Sequence, residues 1–332
     1  MSVPFSEFIK IIGKGKKGSR SLTREEAFTA MKMVLKQKVT GEQRGAFLML
    51  LRTREETPDE ICGFLDACRA LENQAVKALP ATLDIGCYAG KRRQLPWYLL
   101  AVACLAKEGI PIFLHGAQEP GSGRLYASHV LPQLGLTPVG NVAQAANQLQ
   151  SHCATYLDLG LVLPALNDII KLREVFGLRS CANTLGRLLN PSAAPYSVQG
   201  VFHTHLDDKH GQVNQAFEHY DALCFRGDGG DPEVNSERET TLFITRAQNT
   251  AEVTLPMTEN GWAMKDKTMN VDDMLRYWQG DITHKYAEHS VLPSLISYLM
   301  LINQLDYTQA AAKANSMWQN RDKTQLPFGG KA

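Results

Sequence analysis

The chain of 332 residues is longer than one small module and shorter than a multi-enzyme polypeptide, which points to two domains sharing an interface. Its 44% hydrophobic and 21% charged content is that of an ordinary globular protein, and 35 Lys and Arg against 34 Asp and Glu exclude a uniformly basic, histone-like coat. The balance conceals an asymmetry: residues 1–54 carry twelve basic side chains against four glutamates, a net +8, which leaves −7 for the remainder.

That basic head comes first in chain order. Phe8, Ile9, Ile11 and Ile12 suggest a helix, which runs into Gly13-Lys14-Gly15-Lys16-Lys17-Gly18-Ser19-Arg20. Thr23 with Glu26 three residues on is a capping box, and Ala27, Met31, Val34 and Leu35 recur behind it at helical spacing. Residues Gly45 to Leu51 read as a buried helix ending near Arg52 and Arg54. Thr57 and Pro58 start another, with Ile61, Phe64, Leu65, Cys68 and Leu71 on one face.

After Pro80 the texture alternates: a strand at Thr82–Gly86, an apolar helix at Tyr98–Lys107, a strand at Ile110–Gly116. Later strands are expected at Asp221–Phe225 and Thr240–Thr245, helix from about 290 to 319, and a frayed end from Gln325 to Ala332. The expected class is α/β: a small all-α domain over residues 1–75, with a returning helical segment near 165–188, and an α/β domain over 76–332 whose sheet is mainly parallel and flanked by helices. Seven cysteines without a C-x-x-C pair, most inside apolar runs, suit reduced core residues. With no signal-like start and no apolar run long enough to span a bilayer, the expectation is a cytoplasmic protein with no membrane partner.

Few residues announce chemistry. The string Gly13 to Arg20 has the glycine spacing of a P-loop but offers Ser19-Arg20 where Lys-Ser or Lys-Thr is required, and it follows a helix rather than a strand. Glycines interleaved with Lys14, Lys16, Lys17 and Arg20 suit a phosphate backbone instead, since the main chain can approach and the charges displace counterions; a solvated basic turn is the plain alternative. A second basic cluster, Lys91-Arg92-Arg93, lies past the carboxyl end of a presumed parallel strand, where open α/β sheets place ligands, with Tyr88 and Trp97 nearby as stacking candidates or as core. His203-Thr204-His205 with His210 reads as a surface segment rather than a metal site. The loop Gly227–Glu233 offers carboxylates for Mg²⁺, interrupted by Pro232. No nucleophile arrangement emerges.

Read together, these segments resemble the anthranilate phosphoribosyltransferase family (glycosyl transferase family 3) over nearly the whole chain. The helical opening is similar to that family's small domain. Gly177-Leu178-Arg179-Ser180-Cys181-Ala182-Asn183, running on to Leu188-Leu189-Asn190-Pro191, is similar to its Arg-Thr-x-x-Asn stretch closing in Leu-x-Asn-Pro. The resemblance implies a nucleoside phosphorylase/phosphoribosyltransferase-like fold, yet the family's catalytic elements are altered. The Gly-Thr-Gly-Gly-Asp diphosphate loop stands as Gly86-Cys87-Tyr88-Ala89-Gly90; Lys-His-Gly-Asn-Arg stands as Leu114-His115-Gly116-Ala117-Gln118; the magnesium-binding Asp-Glu falls on Pro232-Glu233.

The pattern is similar to a divergent branch, the YbiB-type proteins, and that resemblance implies a homodimer through the helical domain that binds DNA and RNA with little sequence preference. The expectation is a non-catalytic protein with no cofactor and no metal. Its partners are nucleic acid, single-stranded DNA or RNA favoured, and a second copy of itself. Lys10, Lys14, Lys16, Lys17, Arg20, Lys91, Arg92, Arg93, Arg179 and Arg187 would meet phosphates, and Gly86, Gly90, His115, Gly116, Asn183 and Glu233 would line a vestigial cleft. Two alternatives stand beside it: a diverged phosphoribosyltransferase or nucleoside phosphorylase-type enzyme with an altered substrate, and a scaffold whose basic head meets an acidic protein.

Overall fold

Capping chemistry sets the helical opening. In the computed structural model, which describes residues 3–15, 17–258 and 268–329, helix α1 (Phe5–Gly13) is followed by α2 (Arg24–Leu35), α3 (Gly41–Arg54) and α4 (Pro58–Arg69). Thr23, Thr40 and Thr57 each accept from the backbone of the third helical residue, whose Glu26, Gln43 or Glu60 side chain answers the cap's own N–H. The helices bury Phe5, Phe8, Met31, Phe47, Phe64 and Leu65 among themselves. The same core takes in Leu166, Ile170 and Leu185 from the returning segment, and Phe113 and Leu157 from the sheet, so it closes over both parts of the chain.

Seven strands form one sheet in the order β3-β2-β1-β4-β5-β6-β7: β1 (Leu83–Gly86), β2 (Ile112–Gly116), β3 (Ala154–Asp158), β4 (Tyr196–Val201), β5 (Asp221–Arg226), β6 (Thr240–Arg246) and β7 (Asn249–Leu255). The strands β1 to β5 pair in parallel, and β6 and β7 add an antiparallel hairpin at one edge. Strand order reverses at β1 and β4, which places a crevice beyond their carboxyl ends, the usual ligand position in an open α/β sheet. The mainly parallel α/β architecture with a small helical opening is the one read from the sequence.

The helix Tyr98–Lys107 buries every residue but its last, and it packs against Val291–Asn303, which is apolar on nearly all sides. The end of the chain departs from expectation. Residues Gln325–Gly329 are docked, not frayed: Phe328 is buried with its N–H on the Leu134 carbonyl, and Lys107 donates to Gln325 and to the Gly329 carbonyl; residues 330–332 lie outside the described residues. All seven cysteines are free and buried. Among the described residues no helix is long and apolar enough to cross a membrane.

Candidate functional site

The crevice at the strand-order reversal is a cleft of about 700 Å³, and its walls are unusually rich in arginine. The C-terminal turn of α3 supplies Arg52, the segment after β1 supplies Arg92 and Arg93, and the loop after β2 supplies Arg124. Arg173, Arg179 and Arg187 come from the segment that returns to the helical domain. Among the described residues, no carboxylate forms an ion pair with Arg52, Arg92, Arg93, Arg124 or Arg187.

One acid does offset this charge. Glu119, buried behind the cleft wall, accepts from Arg173 at 2.7 Å, from Arg179 at 2.7 and 2.8 Å, and from Asn183 at 3.1 Å. Burial pushes its carboxyl up, but the Arg179 hydrogen bonds and the two arginine charges outweigh that and hold it below its ordinary value. Arg187 lacks such help: it is 7% exposed, donates to the Asn183 carbonyl, and has an Nε with no partner. Burial, reinforced by the Arg179 charge, lowers its guanidinium to about 10. Arg124 is lowered in the same direction by burial and by the charges of Arg179 and Arg92. Arg187 is the buried member of this wall, Arg124 is half-buried and Arg52, Arg92 and Arg93 are exposed; a buried guanidinium without a counter-charge is costly unless an anion completes it.

Lys91 corrects an expectation. Its side chain is 1% exposed, so it cannot meet phosphates from solvent. Its Nζ donates to Glu233 Oε1 at 2.6 Å and to Asp228 Oδ2 and the Asp228 carbonyl, both at 3.0 Å. Glu233 also accepts from the Tyr98 N–H at 2.8 Å and the Tyr286 hydroxyl at 2.9 Å. Burial alone would lower the ammonium, but the charges of Glu233, Asp228 and Asp231 overcome it and raise the Lys91 pKa. Gly200 and Gly227 permit this packing: a Cβ on either would fall 2.2 Å or less from the Asp231 carbonyl oxygen, so only glycine lets the acidic loop fold onto β4.

The loop after β1 is filled rather than open. The Tyr88 ring lies against Gly186, where a Cβ would stand 2.9 Å from the ring, and its hydroxyl meets His115 Nδ1 at 2.7 Å. His115 Nε2 reaches Asp84 Oδ1 at 3.1 Å, so the buried chain is satisfied by Tyr88 donating to the imidazole and the imidazole donating to Asp84. Gly86 and Gly116 pack tightly in this region, and Gly90 holds φ +69° against Tyr126 and Arg124. Tyr88 and Trp97 are buried, so neither stacks on a base; both are core. The exposed aromatic at the cleft is Phe202, 58% exposed just past β4, with His203 edge-on at 5.2 Å.

The basic head lies at the same end of α3 as Arg52: Gly13 packs on Leu50, and Arg54 donates to Ser21. Lys10, Lys14, Lys17 and Arg20 are exposed; Lys16 lies outside the described residues. Arg20 is tied to Glu26 by two 2.7 Å bonds and Lys10 lies 3.4 Å from Glu7, which leaves Lys14 and Lys17 the freer cations. His203 and His205 are exposed, whereas His210 is buried on Gln199 and lowered to about 3 by burial, hence neutral. Sequence reasoning placed Arg52 only at a helix end, and it missed Arg124, Arg173, Glu119 and Phe202 as site residues. Each sits alone in its local sequence, and only pairings such as Lys91 with Leu125 bring them to the cleft.

Residues 6–71 match the family model described as glycosyl transferase family, helical bundle domain. The chain is 32% identical over 227 residues to the anthranilate phosphoribosyltransferase of Desulfitobacterium hafniense (strain DSM 10664 / DCB-2), covering 68% of this chain and 67% of that one. It is 28% identical over 241 residues to the uncharacterized protein YbiB of Escherichia coli (strain K12), covering 70% and 74%. Among solved structures, the anthranilate phosphoribosyltransferase of Thermus thermophilus matches with TM-score 0.78 at 20% identity over 96% of each chain. That of Saccharomyces cerevisiae, in complex with PRPP and Mg, matches with TM-score 0.74 at 15% identity over 97% of this chain and 95% of that one. The fold is theirs, and by its likeness to the Desulfitobacterium enzyme the chain belongs to the anthranilate phosphoribosyltransferase family.

Proposed function

We propose that the chain binds nucleic acid through its phosphate backbone, single strands above all, without catalysing phosphoribosyl transfer. The observation that carries this reading is the set of cleft arginines, Arg52, Arg92, Arg93, Arg124 and Arg187, with no paired carboxylate among the described residues, beside the α3 end against which the turn carrying Lys14 and Lys17 packs. Phosphodiesters complete such a wall, and arginine forks match their oxygens. A cleft of about 700 Å³ is too small for a duplex and suits a strand of one or two nucleotides, with Phe202 as a stacking surface at its mouth. Tyr88, seated in the loop that the resemblance assigns to diphosphate, supports a non-catalytic role. We further propose a homodimer through the helical domain, where Ile9, Ile11, Met33 and Met49 remain partly exposed, so that two basic heads adjoin.

The test is anisotropy of a labelled single-stranded oligonucleotide of arbitrary sequence over a salt series. If six to ten phosphates are neutralised, affinity falls by roughly three to five decades between low and moderate salt; weak or salt-insensitive binding refutes the proposal. A second reading, a phosphoribosyltransferase-type enzyme with an altered substrate, rests on the 32% identity to an enzyme of that name and on the retained cleft. Saturable calorimetric binding of phosphoribosyl diphosphate with Mg²⁺ would favour it over the first.

A further inference from the structure

A solved structure of the same fold, the yeast enzyme, is in complex with PRPP and Mg, and the family resemblance puts the magnesium-binding Asp-Glu on Pro232-Glu233, in the loop that also holds Asp228. These residues do not fit a divalent ion. The ammonium of Lys91 stands between them at hydrogen-bonding distance, and its three N–H bonds are consumed by Glu233 Oε1, Asp228 Oδ2 and the Asp228 carbonyl. The Tyr98 N–H and the Tyr286 hydroxyl take up further acceptor positions on Glu233. A metal would have to expel a cation tethered to the strand-end loop of β1.

We propose that the Lys91 ammonium is a built-in substitute for the divalent cation, so that the cleft accepts phosphoryl oxygens directly, with no metal ion between them and the Asp228–Glu233 pair. With all its protons turned inward, Lys91 does not itself grip the ligand. Its charge cancels one of three loop carboxylates, Asp228, Asp231 and Glu233, that would otherwise repel an anion, and the outward work falls to arginines such as Arg92 and Arg124. The exchange removes the need for a metal and also the direct coordination of phosphoryl oxygens that a bound metal would supply, since an ammonium has no open coordination positions. Neutralisation is kept and Lewis acidity is given up, consistent with a site that holds phosphate without cleaving or transferring it.

The test uses the purified full chain, Mn²⁺ as the metal probe and inorganic pyrophosphate as the anion probe. Electron paramagnetic resonance should show no stoichiometric Mn²⁺ site in the native protein, and one new site per chain in Lys91→Ala, tighter by about tenfold or more. The new site should disappear again in Lys91→Ala combined with Asp228→Asn. Pyrophosphate should raise the native Tm equally in chelator-treated and untreated buffer. A native Mn²⁺ site abolished by Asp228→Asn, or a pyrophosphate effect that chelator removes, overturns the proposal, as does a folded Lys91→Ala that gains no Mn²⁺ site. Should Lys91→Ala fail to fold, the native Mn²⁺ titration decides. An absence of any pyrophosphate effect counts against the nucleic-acid reading, while the Mn²⁺ arms still judge Lys91 separately.

Discussion

Replacing Arg187 with methionine should strengthen the fold while weakening the site. The guanidinium is 7% exposed, has no carboxylate partner and is lowered from 12.5 to about 10, chiefly by burial and then by Arg179. For a base, a folded pKa below the unfolded one penalises folding at every pH below the folded value, and the penalty fades as pH rises through about 10. A shift of this size corresponds to about 3 kcal/mol at neutral pH. Methionine removes that penalty and fills similar volume, at the loss of a hydrogen bond to the Asn183 carbonyl of about 1 kcal/mol, leaving a net gain of about 2 kcal/mol. In a chain of this length the gain appears as a rise in Tm of roughly 2–4 °C. The same substitution removes a charge-assisted contact to the anion, and affinity for a single-stranded oligonucleotide should fall by about one to two decades. Thermal denaturation and anisotropy on the same preparations read both effects. A lower Tm with unchanged affinity would refute the reasoning, since Arg187 would then be a structural residue whose charge the fold already satisfies.

Glutamate at positions 14, 16 and 17 together should cut oligonucleotide affinity at least tenfold by anisotropy and flatten its salt dependence; Lys14 and Lys17 are exposed, so Tm should stay within about 1 °C. Burial raises the Glu72 carboxyl to about 8, and its Oε2 has no hydrogen-bond partner, so the protonated form favours folding and stability is lost as pH rises from about 4.5 through 8. Glu72→Gln should therefore match the native protein at pH 4 and exceed it by on the order of 5 kcal/mol at pH 9 in denaturant titrations. Tyr88→Phe leaves the buried imidazole of His115 without its donor and should cost about 1–2 kcal/mol, whereas Tyr88→Ala opens a cavity and should cost about 3–5 kcal/mol, both read by urea midpoints.

Local signals in the sequence locate the helical opening and the strands β1, β2, β5 and β6, but not β3 or β4. The capping box at Thr23 and the helix start at Thr57 and Pro58 form as read, and the continuous apolar run gives the helix Tyr98–Lys107 its limits. The start of α3 escaped notice because Gly41 and Glu42 carry no apolar periodicity, although Thr40 and Gln43 form the same box. Strand β7 escaped because it is an edge strand whose side chains are mostly exposed, so alternation is weak. At the site, charge could be read but its disposition could not. Lys91, Arg92 and Arg93 are adjacent in sequence, yet Lys91 turns inward to carboxylates 137 and 142 residues away while its neighbours stay in solvent. Likewise the Arg179 charge is met by Glu119, 60 residues distant, a pairing that nothing local encodes.

The docked end of the chain has a practical bearing on how the molecule can be handled. Gly329 is held by Lys107, at the last turn of a helix whose first residue, Tyr98, touches Glu233 beneath the cleft. A helix of ten residues is about 15 Å long, which sets Gly329 roughly that far from Glu233 and the cleft above it. Immobilising the protein on a sensor chip by that end leaves the cleft free for the flowing oligonucleotide.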